Sequence, residues 1–335
     1  MPTKLAHAVE QFSVDGSLFL AFAIYKAGNN QLNTDSLIYK LNNSTAEFSL
    51  YQTIHTSGGR DIEYFTIADK HYLVVANRYN GTTSRLNSVI YQWNGKQFLV
   101  FQYISTIGAT SFNFFEIFAK LFLAVTNTDS TKSTIYKWKD NHFEKFQEIG
   151  TKKAKASTAF VINNITYVVF ANYRSSQEEY SVKSLIFKWS GESFVEYQSL
   201  QTYGAWDVKS FNINGTTFLA FASKRNENNY NIDSFIYKWD GSHFISFQSI
   251  PTNGANAWHP FVMCGLTFLG VANQKGKSVV YQVSGEQIIE YQKIPTQEAR
   301  DMTSYEFNGH TYLAIANHIS DNNNINSALY KWGKN

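Results

Sequence analysis

The strongest pattern along the chain is a short apolar run that returns seven times. It reads FLAFAI from Phe19, YLVVAN from Tyr72, FLAVTN from Phe122 and YVVFAN from Tyr167, then FLAFAS from Phe218, FLGVAN from Phe268 and YLAIAN from Tyr312. Each run is too short for a helix and is rich in β-formers, so it predicts a strand buried on both faces. A polar loop follows each run. After it comes an alternating segment such as SLIYKL from Ser36 or SALYKW from Ser327, which predicts a further strand. Turns such as NGK, SGE and DGS then close hairpins onto F-x-x-F/Y-Q-x-I, as in Phe244–Ile250, the last strand of the set.

The polar positions recur with the same regularity. Seven threonines anchor the copies: Thr3, Thr56, Thr106, Thr151, Thr202, Thr252 and Thr296. Three residues on lies Ala or Gly (Ala6, Gly59, Ala109, Ala154, Ala205, Ala255, Ala299), and nine residues on an aromatic (Phe12, Phe65, Phe115, Phe160, Phe211, Phe261, Tyr305). One four-stranded sheet cannot bury its own faces, whereas seven packed face to face can. The expected fold is all-β, a single seven-bladed β-propeller over 1–335, with repeats at approximately 4–56, 57–106, 107–151, 152–202, 203–252, 253–296 and 297–335. The small residue fits a crowded start to the innermost strand, and the recurrent Trp93, Trp138, Trp189, Trp239 and Trp332 belong to the core. The seventh copy stops at Asn335 before a fourth strand, while Met1-Pro2-Thr3 matches only the tail of that motif. The last blade is therefore expected to have three strands. Its edge is expected to be covered by residues from the termini or by a second copy in a homodimer.

Composition narrows the classes. With 27 Phe, 21 Tyr and only 4 Pro, the chain favours strands. Its net charge of +3 is spread out, with no basic run to follow nucleic-acid phosphates. No apolar stretch is long enough for a membrane-spanning helix. The one cysteine, Cys264, allows no internal disulfide and is expected to pack. The histidines lack zinc spacing. The six arginines show no common repeat position, so an arginine cluster is not expected. These residues do not point to an enzyme. The first residues do not form a signal peptide.

The composite F/Y-L-A-x-A-N…S-x-I-Y-K-W-x-G-x-x-F-x-x-F/Y-Q-x-I-P-T-x-G-A resembles the epilepsy-associated repeat, also called the EAR or EPTP repeat, and the resemblance covers essentially the whole chain across its seven copies. The resemblance implies a seven-bladed propeller, no catalysis and extracellular recognition. Family members with a leucine-rich domain before the propeller bind cell-surface receptors of the disintegrin–metalloprotease type. This chain shows no leucine-rich segment, so that receptor is not carried over.

Candidate binding residues lie on the face that carries the blade-to-blade connections and the variable loops. Those loops include YKAGNNQLNTD (Tyr25–Asp35), YRSSQEEYSVK (Tyr173–Lys183), KRNENNYNID (Lys224–Asp233) and HISDNNNIN (His318–Asn326). Asn offers both donor and acceptor, and Tyr offers a flat face, which suits sugars. The expected ligand-binding set is Trp206, Trp258, Tyr25, Tyr79, Tyr173, Tyr230, Asn77 and Asn172. Trp206 and Trp258 are the sharpest, because they follow Gly-Ala and fall outside the recurrent Trp position. Asp61, Asp207 and Asp301 share one repeat position at the expected channel mouth, and Asp61-Ile62-Glu63 matches an Asp-x-Glu that binds calcium in some relatives. A structural Ca²⁺ at Asp61, Glu63, Asp207 and Asp301 is thus a candidate. The expected function is a multivalent, lectin-like binder of glycans or glycoproteins acting through the loops of that face; the alternative is a protein-interaction module for a cell-surface receptor.

Overall fold

The structure, a computed structural model, describes residues 1–27, 31–285, 287–318 and 326–333. Every regular element among them is a strand. The strands form seven antiparallel sheets, the blades of a β-propeller; six have four strands and the last has three. The chain divides into two compact units, Met1–Phe112 with Gln297–Asn335, and Asn113–Thr296.

Blade 1 shows the plan: Ala6–Val14, Ser17–Ile24, Asn33–Asn42 and Glu47–Ser57, each paired with the next. The second strand is the apolar run, buried along its length after the first two residues. The aromatic nine residues beyond each anchor threonine stacks on the first residue of that run in all seven blades, from Phe12 on Phe19 (5.3 Å between ring centres) to Tyr305 on Tyr312 (5.0 Å). Three of the recurrent tryptophans, Trp93, Trp189 and Trp239, pack partly buried against the core clusters. Trp189 meets Phe194 of its own blade and Phe122 of the preceding one, and Trp239 repeats this with Phe244 and Tyr167.

The anchor threonine has a hydrogen-bonding purpose. In blade 5, the Ser223 amide donates to Ser234 Oγ (3.0 Å), the two hydroxyls Ser234 and Thr252 lie 2.9 Å apart, and Thr252 donates to the Ile232 carbonyl (2.9 Å). Each hydroxyl is thereby both donor and acceptor, which buried hydroxyls require. The same Ser–Thr pair recurs at Ser36–Thr56, Ser88–Thr106, Ser133–Thr151, Ser184–Thr202 and Ser278–Thr296. A seventh pair, Thr3–Ser327 at 2.6 Å, joins the chain start to blade 7. Blade 7 comprises Ala299–Phe307, His310–Asn317 and Ala328–Lys331. The Ser327 amide donates to Thr3 Oγ1 (2.8 Å), and the Met1 ammonium to the Ser327 carbonyl (3.2 Å). Met1–Thr3 thus holds the start of the last strand without supplying a fourth.

The glutamine of F/Y-Q is a second device. Gln198 donates from Nε2 to the Phe244 carbonyl (2.8 Å) and accepts from the Phe244 amide (2.9 Å), clamping blade 4 to blade 5. Gln52, Gln147 and Gln248 do the same to Phe98, Phe194 and Ile288. Each glutamine follows an irregularity in the pairing of its two outer strands, such as the one at Ile186/Phe187.

Candidate functional site

The first strand of a blade begins irregularly. In five blades its pairing slips between the residues three and five beyond the anchor: Ala6/Ala8, Gly59/Asp61, Ala205/Asp207, Ala255/Ala257 and Ala299/Asp301. The residue skipped is a β-bulge, which loses its ladder partner and is re-aimed out of the sheet. The bulged residues are His7, Arg60, Trp206, Asn256 and Arg300. Thr110 and Lys155 hold the same sequence position in blades 3 and 4.

A tight backbone precedes the bulge. The residue two beyond each anchor has positive φ in all seven blades: Leu5, Gly58, Gly108, Lys153, Gly204, Gly254 and Glu298. At Gly204 a Cβ would sit 2.4 Å from the Arg225 carbonyl oxygen, so the blade connection lies directly against the loop between the second and third strands. The small residue that follows has a local reason. A Cβ on Gly59 would lie 3.0 Å from the Ile24 carbonyl and 3.2 Å from Ser36 Oγ, both in the preceding blade.

Trp206 stands at the centre of one cluster on this face, within the second unit. Its ring meets Tyr173 edge to face (5.0 Å, 84°). Lys224 Nζ lies 4.0 Å from the Trp206 ring centre, and Lys155 Nζ lies 4.8 Å from it and 5.1 Å from that of Tyr173. Both lysines are buried, and Lys224 Nζ donates to Asn256 Oδ1. The cluster continues through Tyr180, 5.2 Å from Tyr173, to Arg225, whose guanidinium lies 4.9 Å from the rings of both Tyr180 and Tyr230. Burial, then the neighbouring Tyr180, raises the Tyr173 phenol, so it stays protonated at neutral pH. Cations held over aromatic faces make a positive, partly dehydrated platform of rings set edge to face. Backbone bonds fix it: the Lys224 amide donates to the Gly204 carbonyl (3.0 Å) and the Tyr173 amide to that of Lys152 (3.1 Å).

The expected binding residues therefore separate. Trp206, Tyr173 and Tyr230 come together. Tyr25 lies in the first unit beneath the Arg60 guanidinium, at 3.8 Å. Tyr79 donates its hydroxyl to the Gly81 carbonyl and braces its own loop. Three expectations are corrected. Trp258 is fully buried in an apolar cluster with Phe211, Leu269 and Tyr281, because the residue two beyond the bulge turns back between blades. Asn77 and Asn172 are structural clips. Asn172 accepts from the Lys152 amide (2.8 Å) and donates to the Lys183 carbonyl (2.9 Å); Asn77 binds the Ser57 amide and the Asn87 carbonyl in the same way. Their amides are occupied in fixing the loop base. Of the loops singled out, residues 28–30 and 319–325 lie outside the described residues.

The aspartates at the expected calcium position each take a backbone amide of the next blade. Asp61 accepts from Phe112 (2.7 Å), Asp207 from Trp258 (3.0 Å) and Asp301 from Val9 (2.9 Å). Glu63 is partly buried on the same strand as Asp61. Among the described residues no three His, Cys, Asp or Glu side chains gather as a group that could hold a metal. Cys264 is exposed in a turn rather than packed. A cleft of about 530 Å³ opens between the loops of blades 3 and 4, lined by Ser, Thr, Lys152, Lys153, Asp129 and Arg174.

Sequence reasoning missed the bulge position. Two of the six arginines, Arg60 and Arg300, do share it, contrary to the expectation of no common arginine position. The signal was legible: four residues beyond the anchor the chain reads His, Arg, Thr, Lys, Trp, Asn, Arg, polar or bulky every time beside an invariantly small neighbour.

A profile of the EPTP domain matches residues 47–94, 97–139, 142–190, 193–240, 243–282 and 289–332. The mouse thrombospondin-type laminin G domain and EAR repeat-containing protein is 34% identical over 239 residues, covering 67% of this chain and 35% of the relative. Its human counterpart is 32% identical over 256 residues with the same coverage. Human leucine-rich repeat LGI family member 2 is 25% identical over 216 residues, 63% of this chain and 36% of that protein. The chain thus spans about a third of the length of these relatives. A solved structure described as a putative 6-phosphogluconolactonase from Bacteroides uniformis superposes with a TM-score of 0.66 over 88% of this chain and 86% of its own, at 11% identity, a likeness of fold alone. With the profile matching six stretches over most of its length, the chain belongs to the EPTP-domain family.

Proposed function

We propose that the chain is a non-enzymatic recognition module that binds a protein partner, a cell-surface receptor in the extracellular space, through the face built on the bulged strand starts. The single observation that carries this reading is the platform of Trp206, Tyr173, Lys155 and Lys224. Trp206 at a strand start and Tyr173 at a loop base are large aromatics of the kind that serve as interface anchors, and the two lysines over their rings fix them in place. The kinship with EAR-repeat and leucine-rich LGI-type proteins supports the family setting, extracellular by resemblance.

The test is an array of cell-surface receptor ectodomains probed with the wild-type chain and with Trp206→Ala. The expected result is an ectodomain whose affinity falls about tenfold or more with the variant. An ectodomain bound equally well by Trp206→Ala would overturn the role of the platform. The hydroxyl-lined cleft between blades 3 and 4 favours a second reading, a carbohydrate ligand. A glycan array that gives ligands dependent on Arg174, with no ectodomain bound, would put it first.

A further inference from the structure

The cleft between the loops of blades 3 and 4 lies wholly within the second unit. Its opening follows from loop length. In blade 3, Lys120–Asn127 and Lys132–Lys139 are joined by residues 128–131 alone, whereas in blade 4 residues 172–180 join Ile165–Ala171 to Ser181–Trp189. The short loop, the start of blade 4 at residues 151–153 and the longer loop at residues 174–177 enclose about 530 Å³, within the range of small-molecule sites.

The start of blade 4 is unlike the other six. At the two positions after the anchor the copies read Lys-Leu, Ser-Gly, Ile-Gly, Lys-Lys, Tyr-Gly, Asn-Gly and Gln-Glu. Blade 4 alone sets two cations there, Lys152 and Lys153. Lys153 carries the positive φ of that position, 47°, where four copies use Gly. A side chain in that conformation is strained, and strain of this kind gathers where a site needs the side chain. The surroundings are fixed. Thr128 Oγ1 donates to the Lys153 carbonyl (3.2 Å), the Thr151 amide to the Thr131 carbonyl (2.9 Å) and the Lys152 amide to Asn172 Oδ1 (2.8 Å), so both loops are tied to the blade start.

Charge in the cleft is positive. Neither Lys152 nor Lys153 has a carboxylate partner among the described residues. Arg174 Nη1 pairs with Glu178 (3.0 Å), whose side chain is 69% exposed, and exposed pairs of this kind are weak. Arg174 Nε is enclosed without an acceptor, a cost that a ligand oxygen drawing the guanidinium toward the cleft would relieve. Asp129 is the one carboxylate in the lining, so the three cations outnumber it and Glu178 together. Three cations around one opening suit an oxyanion with three terminal oxygens better than a carboxylate with two. Beside them, Ser130 Oγ accepts the Lys132 amide (3.1 Å) and keeps its proton to give, and the Thr131 hydroxyl is exposed. Such hydroxyls suit a polyol.

We propose that this cleft binds a sulfated saccharide, its sulfate held by Lys152, Lys153 and Arg174 and its hydroxyls by Ser130 and Thr131. The choice of sulfate over phosphate rests on the extracellular setting, and the saccharide on the carbohydrate reading above; neither depends on the Trp206 platform.

The test uses the whole chain and calorimetry at fixed ionic strength. The probes are a chondroitin 4-sulfate hexasaccharide, its desulfated counterpart, inorganic sulfate and capped hexaglutamate. The variants are Lys153→Gly and Arg174→Gln, with Lys183→Gln, exposed on the same blade outside the cleft, as control. The sulfated hexasaccharide is expected to bind the wild type at least about tenfold more tightly than the other three probes. Its affinity is expected to fall about tenfold in Lys153→Gly and Arg174→Gln and to stay unchanged in Lys183→Gln. Glycine adopts a positive φ without strain, so Lys153→Gly without ligand should melt no lower than the wild type, which separates a lost contact from a lost fold. Equal affinity of the sulfated hexasaccharide for wild type and Lys153→Gly overturns the proposal. So does equal affinity for the desulfated probe, for inorganic sulfate or for hexaglutamate. Neutral glycans bound through Arg174 with no preference for sulfate would overturn this inference and leave the carbohydrate reading in place; a glycan array with no ligand at all would remove both.

Discussion

Two tryptophans that look alike in sequence do opposite things. Trp206 is the bulged residue of its strand and turns outward, whereas Trp258 lies two residues past its own bulge and turns inward. Trp258→Ala is expected to destabilise by about 3–5 kcal/mol, as large truncations in packed cores do, and Trp206→Ala by much less; chemical denaturation of both variants checks this. Two ionisable groups beside Trp258 set a pH dependence. Burial raises the Asp207 carboxyl above its ordinary 3.8, against the opposing pull of Lys209 and the Trp258 amide. Its contribution to stability is therefore complete below that ordinary value and is lost as pH rises through the raised one. Burial, then Lys209, lowers His259 to about 3 from 6.5, so its contribution is present above 6.5 and is lost as pH falls toward 3. Melting curves from pH 3 to 8 should show Asp207→Asn gaining on the wild type toward neutral pH, with the gain gone near pH 3.5. His259→Gln should lose less than the wild type over the acidic half.

At the scale of the elements, the strands, their order and their repeat were legible because period-two burial and turn residues act locally. The seven stacked aromatic pairs confirm the copies one by one. The site was less legible. A bulge is an event of pairing, and the step that sends Trp206 outward but Trp258 inward depends on the partner strand, which periodicity along one strand does not show. Asn77 and Asn172 misled for a related reason: an amide suited to sugars is equally suited to two backbone groups at a loop base. The Ser–Thr relay makes a clear prediction at this scale. Thr202→Val keeps the shape but leaves the Ser184 hydroxyl and the Val182 carbonyl without their partner. A loss of about 1–3 kcal/mol is expected on denaturant unfolding, and Thr202→Ser, which restores the hydroxyl, should recover most of it. Thr3→Val should act in the same direction through the Thr3–Ser327 pair.

For the whole molecule, the family follows from the repeat and the partner does not. The devices that recur in the blades, namely the hydroxyl pair, the glutamine clamp and the stacked aromatics, hold strands and sheets. The bulge position is where the copies differ, as an adaptable site on a repeated scaffold should. A homodimer through the last strand, Ala328–Lys331, is a further proposal, and light scattering over a concentration series tests it. The most direct test of the central claim is hydrogen exchange on the chain with and without its bound ectodomain. The account predicts slowed exchange at the blade starts and loop bases around Lys152–Ala156, Tyr203–Trp206 and Lys224–Arg225, with the outer strands unchanged. Protection confined to the exposed outer strands, such as Phe98–Tyr103, would contradict it.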